Sequence, residues 1–254
     1  MTDLIVLLGH HIGYSASPAI HNAAFHSLGM DARYELADVT ADDLADAVTA
    51  LRAPGHLGAN VTQPHKLAVC DLVDEVAPEV RRLGAANTIV RHDDRLVAHN
   101  TDLPAVAGEL AVLGSPGRAV VLGVGGASRA VQAALADTRA QVVAVERARW
   151  ADLPSLLTDA DLLVNATPIG TGSDEMPVDP GLLRPDLAVL DLVYRPSPTR
   201  LVREARERGA LAQGGAGMLL SQAVLSFELW TGRSAPVAVM ADALRAELEA
   251  GSSG

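Results

Sequence analysis

Ala119-Val120-Val121-Leu122-Gly123-Val124-Gly125-Gly126-Ala127-Ser128 is the stretch on which the fold class turns. Four apolar residues run into a glycine turn, and a helical pattern through Val131, Ala134 and Leu135 follows. Such a turn lets backbone N–H groups approach a pyrophosphate at the helix N-terminus, where the helix dipole favours negative charge. The third glycine of the usual pattern is Ser128 here. Alone, the loop fits a plain tight turn, a dinucleotide, or the nucleoside cofactor of a methyltransferase. The next strand, from Gln141, ends at Glu146, 20 positions after Gly126. A Rossmann domain places the acid that holds an adenosine ribose near that spacing, which favours a dinucleotide. Glu146 suits the free 2′-hydroxyl of NAD, and Arg147 beside it suits the 2′-phosphate of NADP.

Downstream, strands are expected at Asp161 to Asn165, Leu187 to Val193 and Ala210 to Ala212, and a helix runs from Asp102 to Leu113. Alternating strands and helices argue for an α/β fold with a parallel sheet covered on both faces. Upstream, Leu4 to Leu8 reads as a buried strand ending in Gly9. Ser17-Pro18 reads as an N-cap and first helical position, with Gly29 as the stop. Thr40 is the expected cap of a second helix, and a third is expected through Leu67, Val69, Leu72 and Val73. Ala59 to Thr62 is a strand, and Thr88 to Arg91 and Arg95 to Ala98 are two more joined by a turn. Two long helices, about Gly217 to Trp230 and Val237 to Leu248, close the chain; the final Gly-Ser-Ser-Gly is a natural tail or a cloning scar.

At 254 residues, 49% hydrophobic and 20% charged, the chain can bury a full core. With only 2 Phe, 2 Trp and 3 Tyr, that core is built from Ala, Val and Leu, and stacking platforms for nucleic-acid bases are not expected. The net charge of −11 repels phosphate backbones and anionic membranes. The lone Cys70 forms no internal disulfide, and no signal-like or membrane-spanning run is seen, so a cytoplasmic protein is expected. Of 20 Lys and Arg residues only Lys66 is a lysine. Arginine cannot replace lysine where a compact ammonium must give up a proton.

Several further strings sharpen this: Gly13-Tyr14-Ser15-Ala16-Ser17-Pro18-Ala19-Ile20-His21-Asn22, Gly58-Ala59-Asn60-Val61-Thr62-Gln63-Pro64-His65-Lys66, Gly84-Ala85-Ala86-Asn87-Thr88, and Asn100-Thr101-Asp102. Asn165-Ala166-Thr167-Pro168-Ile169-Gly170, Asp191-Leu192-Val193-Tyr194 and Gly215-Ala216-Gly217-Met218-Leu219-Leu220-Ser221-Gln222-Ala223 follow in order. With these strings the chain resembles the shikimate dehydrogenase family from the first strand to the last helix. The resemblance implies an N-terminal α/β substrate domain (1–101, with a returning helix at 235–254) and a Rossmann cofactor domain (102–234), with the active site in the cleft between them. It implies NADP-dependent reduction of 3-dehydroshikimate to shikimate, with Lys66 and Asp102 as the catalytic pair. Ser15, Ser17 and Tyr194 would meet the substrate carboxylate, and Thr62, Asn87 and Gln222 the ring hydroxyls. Cofactor contacts would fall at Gly123, Gly125, Gly126, Ala127, Ser128, Glu146, Arg147, Asn165, Thr167, Leu192 and Gly215. The partner is a small molecule, and oligomeric state is not readable.

His10, His11, His21 and His65 have no ligand spacing of the usual kind, and the reaction needs no metal, so they read as structural. The chain also departs from the family pattern. His99 and Leu103 flank the Asn-Thr-Asp string, where an acid and a glycine are usual. Glu146 stands where the NADP-binding form has Asn, which leaves NAD open. Only 18 residues separate Glu146 from Asn165, too few for the helix and strand that normally intervene. A shortened sheet is expected, with at most a stub of helix between Trp150 and Leu157, a more open adenine-ribose side and weaker cofactor binding. Alternatives are a quinate/shikimate or aminoshikimate dehydrogenase, and a non-catalytic binding paralogue; retention of both Lys66 and Asp102 argues against the latter.

Overall fold

A computed structural model describes residues 2–250; the terminal Gly-Ser-Ser-Gly lies outside them. The chain forms two compact units, the residues up to Thr101 with Leu220–Glu247, and Asp102–Leu219 with the chain from Leu248. The returning segment thus starts at Leu220 rather than at 235, because the long penultimate helix passes from one unit into the other.

The first unit is a six-stranded sheet of order β2-β1-β3-β5-β6-β4, built from β1 (Asp3–Gly9), β2 (Ala32–Asp38), β3 (His56–Val61), β4 (Glu75–Val76), β5 (Thr88–His92) and β6 (Arg95–His99). It is mixed rather than parallel. β1 lies parallel to β2 and β3, whereas β5 is antiparallel to both β3 and β6; the turn at Asp93 is too short for a crossover and makes β5 and β6 a hairpin. One face buries Leu8, Val48, Leu51, Val61, Val80 and Ile89. Elsewhere in the unit α1 (Ser17–Ser27) meets α8 (Ala216–Thr231) through Phe25 and Phe227, ring centroids 5.4 Å apart.

Local readings need correction here. α1 is preceded by Ala16 as N-cap with no side-chain cap, so Ser17 is its first residue and not its cap. Thr40 does not cap α2 (Leu44–Ala50); its hydroxyl donates to Asp43 Oδ2 at 2.6 Å one turn earlier. The helix expected after Pro64 shrinks to a 3₁₀ turn over Ala68–Asp71. β2, β4 and α3 (Pro78–Leu83) were not expected from the sequence.

The second unit is a wholly parallel sheet of order β11-β10-β9-β7-β8: β7 (Arg118–Leu122), β8 (Gln141–Val145), β9 (Leu162–Asn165), β10 (Ala188–Asp191) and β11 (Ala212–Gln213). Its strands are apolar on both faces, as a covered parallel sheet requires. Val120, Leu122, Leu163 and Val189 enter one core with α7 (Arg200–Glu207). Ala119, Val121, Leu162, Val164 and Leu190 enter the other, against α4 (Asp102–Leu113) and α5 (Gly126–Ala136). β8 is an edge strand. Between Glu146 and β9 the chain forms only a 3₁₀ segment, Arg147–Asp152, and the five-residue α6 (Leu153–Leu157), as the spacing implied. α9 (Val237–Ala250) ends the described chain. Among the described residues no helix is long and apolar enough to cross a membrane.

Candidate functional site

In the first unit the candidate substrate residues gather where β1 and β3 end. Parallel pairing sets Leu8 beside Val61, and the Thr62 amide donates to Leu8 O at 2.9 Å. The loop after β1 then meets the loop after β3, with the His10 amide on Gln63 O at 3.1 Å. Ser15 and Ser17 follow on the first loop, their hydroxyls 3.2 Å apart, with the Ser17 amide on Ser15 Oγ. Lys66 lies on the second loop, where its carbonyl accepts from the Ala86 amide at 2.8 Å. That bond and the one from Val61 N–H to Asn87 O (2.8 Å) bring Asn87 to the same edge.

A buried polar network that the sequence did not announce fixes Asn87. Its Oδ1 accepts from the Thr101 amide (2.8 Å), and its Nδ2 donates to Thr101 Oγ1 (2.9 Å). Asn60 donates to Asn87 O, Thr88 Oγ1 and Ser226 Oγ at 3.0, 3.1 and 3.1 Å, and accepts from the Tyr34 hydroxyl at 2.8 Å. All are nearly inaccessible to solvent, so each bond satisfies a group that would otherwise be costly to bury. Ser226 sits one turn past Gln222 on α8, so both fall on the same face of that helix. The alternating string Asn60-Val61-Thr62 was a signal for an inward polar residue in a strand.

Two of the four histidines are structural, as expected. His21 is fully buried, stacked on Tyr34 at 4.5 Å, and burial lowers its pKa to about 3, so it is neutral. His65 is buried with Nε2 2.7 Å from Val39 O. His10 and His11 lie beside Asp38, a residue whose proximity spacing along the chain could not reveal.

The second unit gathers the candidate cofactor residues at the carboxyl ends of β7, β9 and β10. Gly123 has φ +102°, and a Cβ there would sit 3.0 Å from Ala166 O, so only glycine lets the two loops approach. Ser128 fills the third-glycine position without crowding: its hydroxyl donates to Gly123 O at 2.6 Å and ties α5 back to the turn. Asn165 and Thr167 also face inward. Asn165 Nδ2 donates to Asp191 Oδ1 (2.9 Å) and Ile169 O (3.1 Å), and its Oδ1 accepts from the Thr167 hydroxyl (2.6 Å) and amide (3.1 Å). The side chains of Ser128 and Asn165 therefore shape the loops, leaving backbone groups for a ligand. The Leu192 amide donates to Asn165 O, and Gly215 lies so close to the Leu192 carbonyl that a Cβ would overlap it.

Asp191 anchors this edge. Its carboxylate accepts from Asn165, the Val193 amide (3.1 Å) and the Thr199 hydroxyl (2.6 Å). Burial nevertheless lifts its pKa to about 6, the three donors opposing that rise. Tyr194 is half-buried just beyond it, and Asp102 is buried as the first residue of α4.

A dinucleotide fits these residues. The N-cap of α5 is Gly125, which has no side chain to occupy the first-turn amides, and a Cβ there would meet nothing within 4 Å. Glu146, Arg147 and Arg149 are exposed beyond β8, with the Arg147 guanidinium 5.6 Å from the Trp150 ring centre. Cationic groups there match a phosphate at the adenosine end.

Comparisons with known proteins cover both ends of the chain and nearly its full length. The family model of the shikimate dehydrogenase substrate binding domain matches residues 7–89, and that of the shikimate 5′-dehydrogenase C-terminal domain matches 215–245. The shikimate dehydrogenase (NADP(+)) of Symbiobacterium thermophilum is 42% identical over 97% of this chain and 95% of its own length. The chain belongs to the shikimate dehydrogenase family. Another family member, shikimate 5-dehydrogenase from Thermus thermophilus in complex with NADP(H) and shikimate, superposes with a TM-score of 0.87 at 36% identity, covering 97% of this chain and 100% of that one. The Listeria monocytogenes shikimate 5-dehydrogenase, solved with shikimate and NAD, gives 0.78 at 29% identity, covering 95% and 96%.

Proposed function

We propose that the chain catalyses the reversible, NADP-dependent reduction of 3-dehydroshikimate to shikimate in aromatic biosynthesis, acting on small molecules in the cytoplasm. The observation that carries this reading is the gathering of Ser15, Ser17, Thr62 and Asn87 around the loop of the chain's one lysine. A carboxylated, hydroxylated ring needs such a set of neutral donors and acceptors, because each of its polar groups must find a partner when water leaves. NADP is favoured by the named relatives and by Arg147. The bound nicotinamide supplies or accepts the hydride.

Lys66 then acts on the oxygen that becomes charged as hydride reaches its carbon. Its ammonium stabilises that negative charge and delivers the proton that completes the alcohol, and the reverse reaction returns the proton to Lys66. Asp102 is the second member of the catalytic pair that the family resemblance implies, a carboxylate that accepts from the substrate hydroxyl. Ser15 and Ser17 donate to the substrate carboxylate, joined by Tyr194, while Thr62, Asn87 and Gln222 hold the ring hydroxyls. Asn60, Thr101 and Ser226 are positioning residues that keep Asn87 in place. For the cofactor, the amides of Gly125, Gly126, Ala127 and Ser128 take the pyrophosphate, and Glu146 meets the adenosine ribose. Thr167, Leu192 and Gly215 approach the nicotinamide side mainly through backbone.

The test is absorbance at 340 nm with shikimate and quinate, each against NADP⁺ and NAD⁺. Turnover fastest with shikimate and NADP⁺ is expected. No turnover in any combination would leave a binding paralogue, and preference for quinate would move the enzyme to another pathway.

A further inference from the structure

We propose that His10, His11 and Asp38 bind a divalent transition-metal ion of the Zn²⁺, Co²⁺ and Ni²⁺ class at the end of β1. Strand pairing brings the three together. β1 and β2 run parallel with Gly9 opposite Asp38, so the residues that leave β1 emerge beside that carboxylate. Successive side chains of an extended strand point to opposite sides, and two neighbouring histidines would normally diverge. His11 prevents this by adopting φ +56°, a left-handed conformation uncommon outside glycine. Both rings then lie on one side, with centroids 3.8 Å apart. One ligand atom from each of the three residues falls within 4.8 Å of the others.

The arrangement is held by the fold before any ion arrives. The Val39 amide donates to Gly9 O at 2.7 Å, locking the carboxylate's strand to β1, and the His10 amide is fixed on Gln63 O. Gly9 is packed so closely that a Cβ would sit 2.5 Å from Thr62 Cγ2 and 2.6 Å from Ile12 Cγ2. Asp38 Oδ1 accepts from His10 Nδ1 at 2.8 Å and from the His11 amide at 3.2 Å, so the acid already faces both residues. An ion takes the place of the hydrogen bond between His10 Nδ1 and Asp38 Oδ1, His10 then binding through Nδ1 as the tautomer that carries its proton on Nε2.

Two imidazoles and one carboxylate form a donor set suited to borderline metals, whereas Mg²⁺ and Ca²⁺ prefer oxygen alone. His10 is half-buried and the other two are exposed, so water completes the coordination. The site needs neither Lys66 nor the cofactor loop. It does share its backbone with Ser15, whose amide bonds Ile12 O at 2.9 Å, so an ion stiffens the segment that carries Ser15 and Ser17.

The experiment is a Co²⁺ titration of the full chain after chelator dialysis, read by visible absorption and by calorimetry. One Co²⁺ per chain, displaced by Zn²⁺ but not by Mg²⁺, is expected. His11→Gly keeps the backbone free to adopt its turn and removes one ligand, and Asp38→Asn removes another with little change of shape. Each is expected to weaken binding about tenfold or more. His92→Ala, at an exposed histidine of the β5–β6 turn, is expected to leave it unchanged. Failure of one-to-one binding, or wild-type affinity in both His11→Gly and Asp38→Asn, would overturn the proposal.

Discussion

Replacing Asp191 by Asn isolates what holds the loops of the second unit. In the folded chain this carboxyl is 1% exposed, its pKa is raised to about 6 by burial, and its ordinary value is 3.8. The folded state therefore binds the proton more tightly than the unfolded state does. Between pH 3.8 and 6 stability falls as pH rises, and above 6 the full cost of ionising Asp191 is present. At about 1.4 kcal/mol per pH unit, the shift corresponds to about 3 kcal/mol, of which about 1.4 kcal/mol accrues between pH 5 and 7.5. Asn keeps an oxygen for Asn165 and the Val193 amide, and turns its NH₂ toward Thr199, which must accept instead of donate. The variant therefore pays a pH-independent cost of about 1–2 kcal/mol for that pairing but escapes the ionisation cost. Urea unfolding of both proteins at pH 5, 6 and 7.5 reads the difference, with other titrating groups cancelling. The stability of the variant relative to wild type is expected to rise by about 1.4 kcal/mol from pH 5 to 7.5. A difference that stays flat across that range would refute the argument that burial, opposed by three donors, sets the state of this carboxyl.

Two further substitutions probe the first unit. Asn60→Ala leaves the buried Tyr34 hydroxyl and Asn87 carbonyl short of partners, and is expected to cost about 3 kcal/mol in chemical denaturation while raising KM for shikimate. Unaltered KM would separate Asn60 from substrate binding. His21, with its pKa lowered to about 3 from 6.5, makes stability fall as pH drops below 6.5, because unfolding lets the imidazole take a proton. At pH 5 this amounts to about 2 kcal/mol. His21→Leu is expected to remove that acid sensitivity, seen as a shallower drop in Tm between pH 7 and 5.

The second unit was legible residue by residue. Its strands are apolar on both faces, single helices join β7 to β8 and β10 to β11, and the distance from Glu146 to Asn165 limits what can lie between them. The first unit was harder because its sheet mixes directions and its polar residues face inward. Ala32–Asp38 alternates charged and apolar residues with a tyrosine that is buried through its hydroxyl bond, and it was passed over as a strand. Without β2, Asp38 had no place near His10, and the histidine pair read as structural. Ser17 and Thr40 mislead for another reason: a hydroxyl before a helical run is a cap only if the backbone is extended there, and Ala16 and Asp43, which precede the two helices, are already in the α region. Motif strings located Lys66, Asn87 and the glycine loop. They did not carry Ser226, which acts through a contact distant in sequence, and Thr101, although inside the Asn100-Thr101-Asp102 string, shows its bond to Asn87 only in the fold.

The central claim, that Lys66 supplies the proton during shikimate oxidoreduction, is tested most directly by comparing wild type with Lys66→Ala. Initial rates at 340 nm with shikimate and NADP⁺ are set beside shikimate binding by calorimetry. In the variant kcat is expected to be lower by about 10²–10⁴-fold with affinity changed only a few-fold, because the ammonium acts on charge that exists in the transition state. Turnover close to wild type in Lys66→Ala would contradict it.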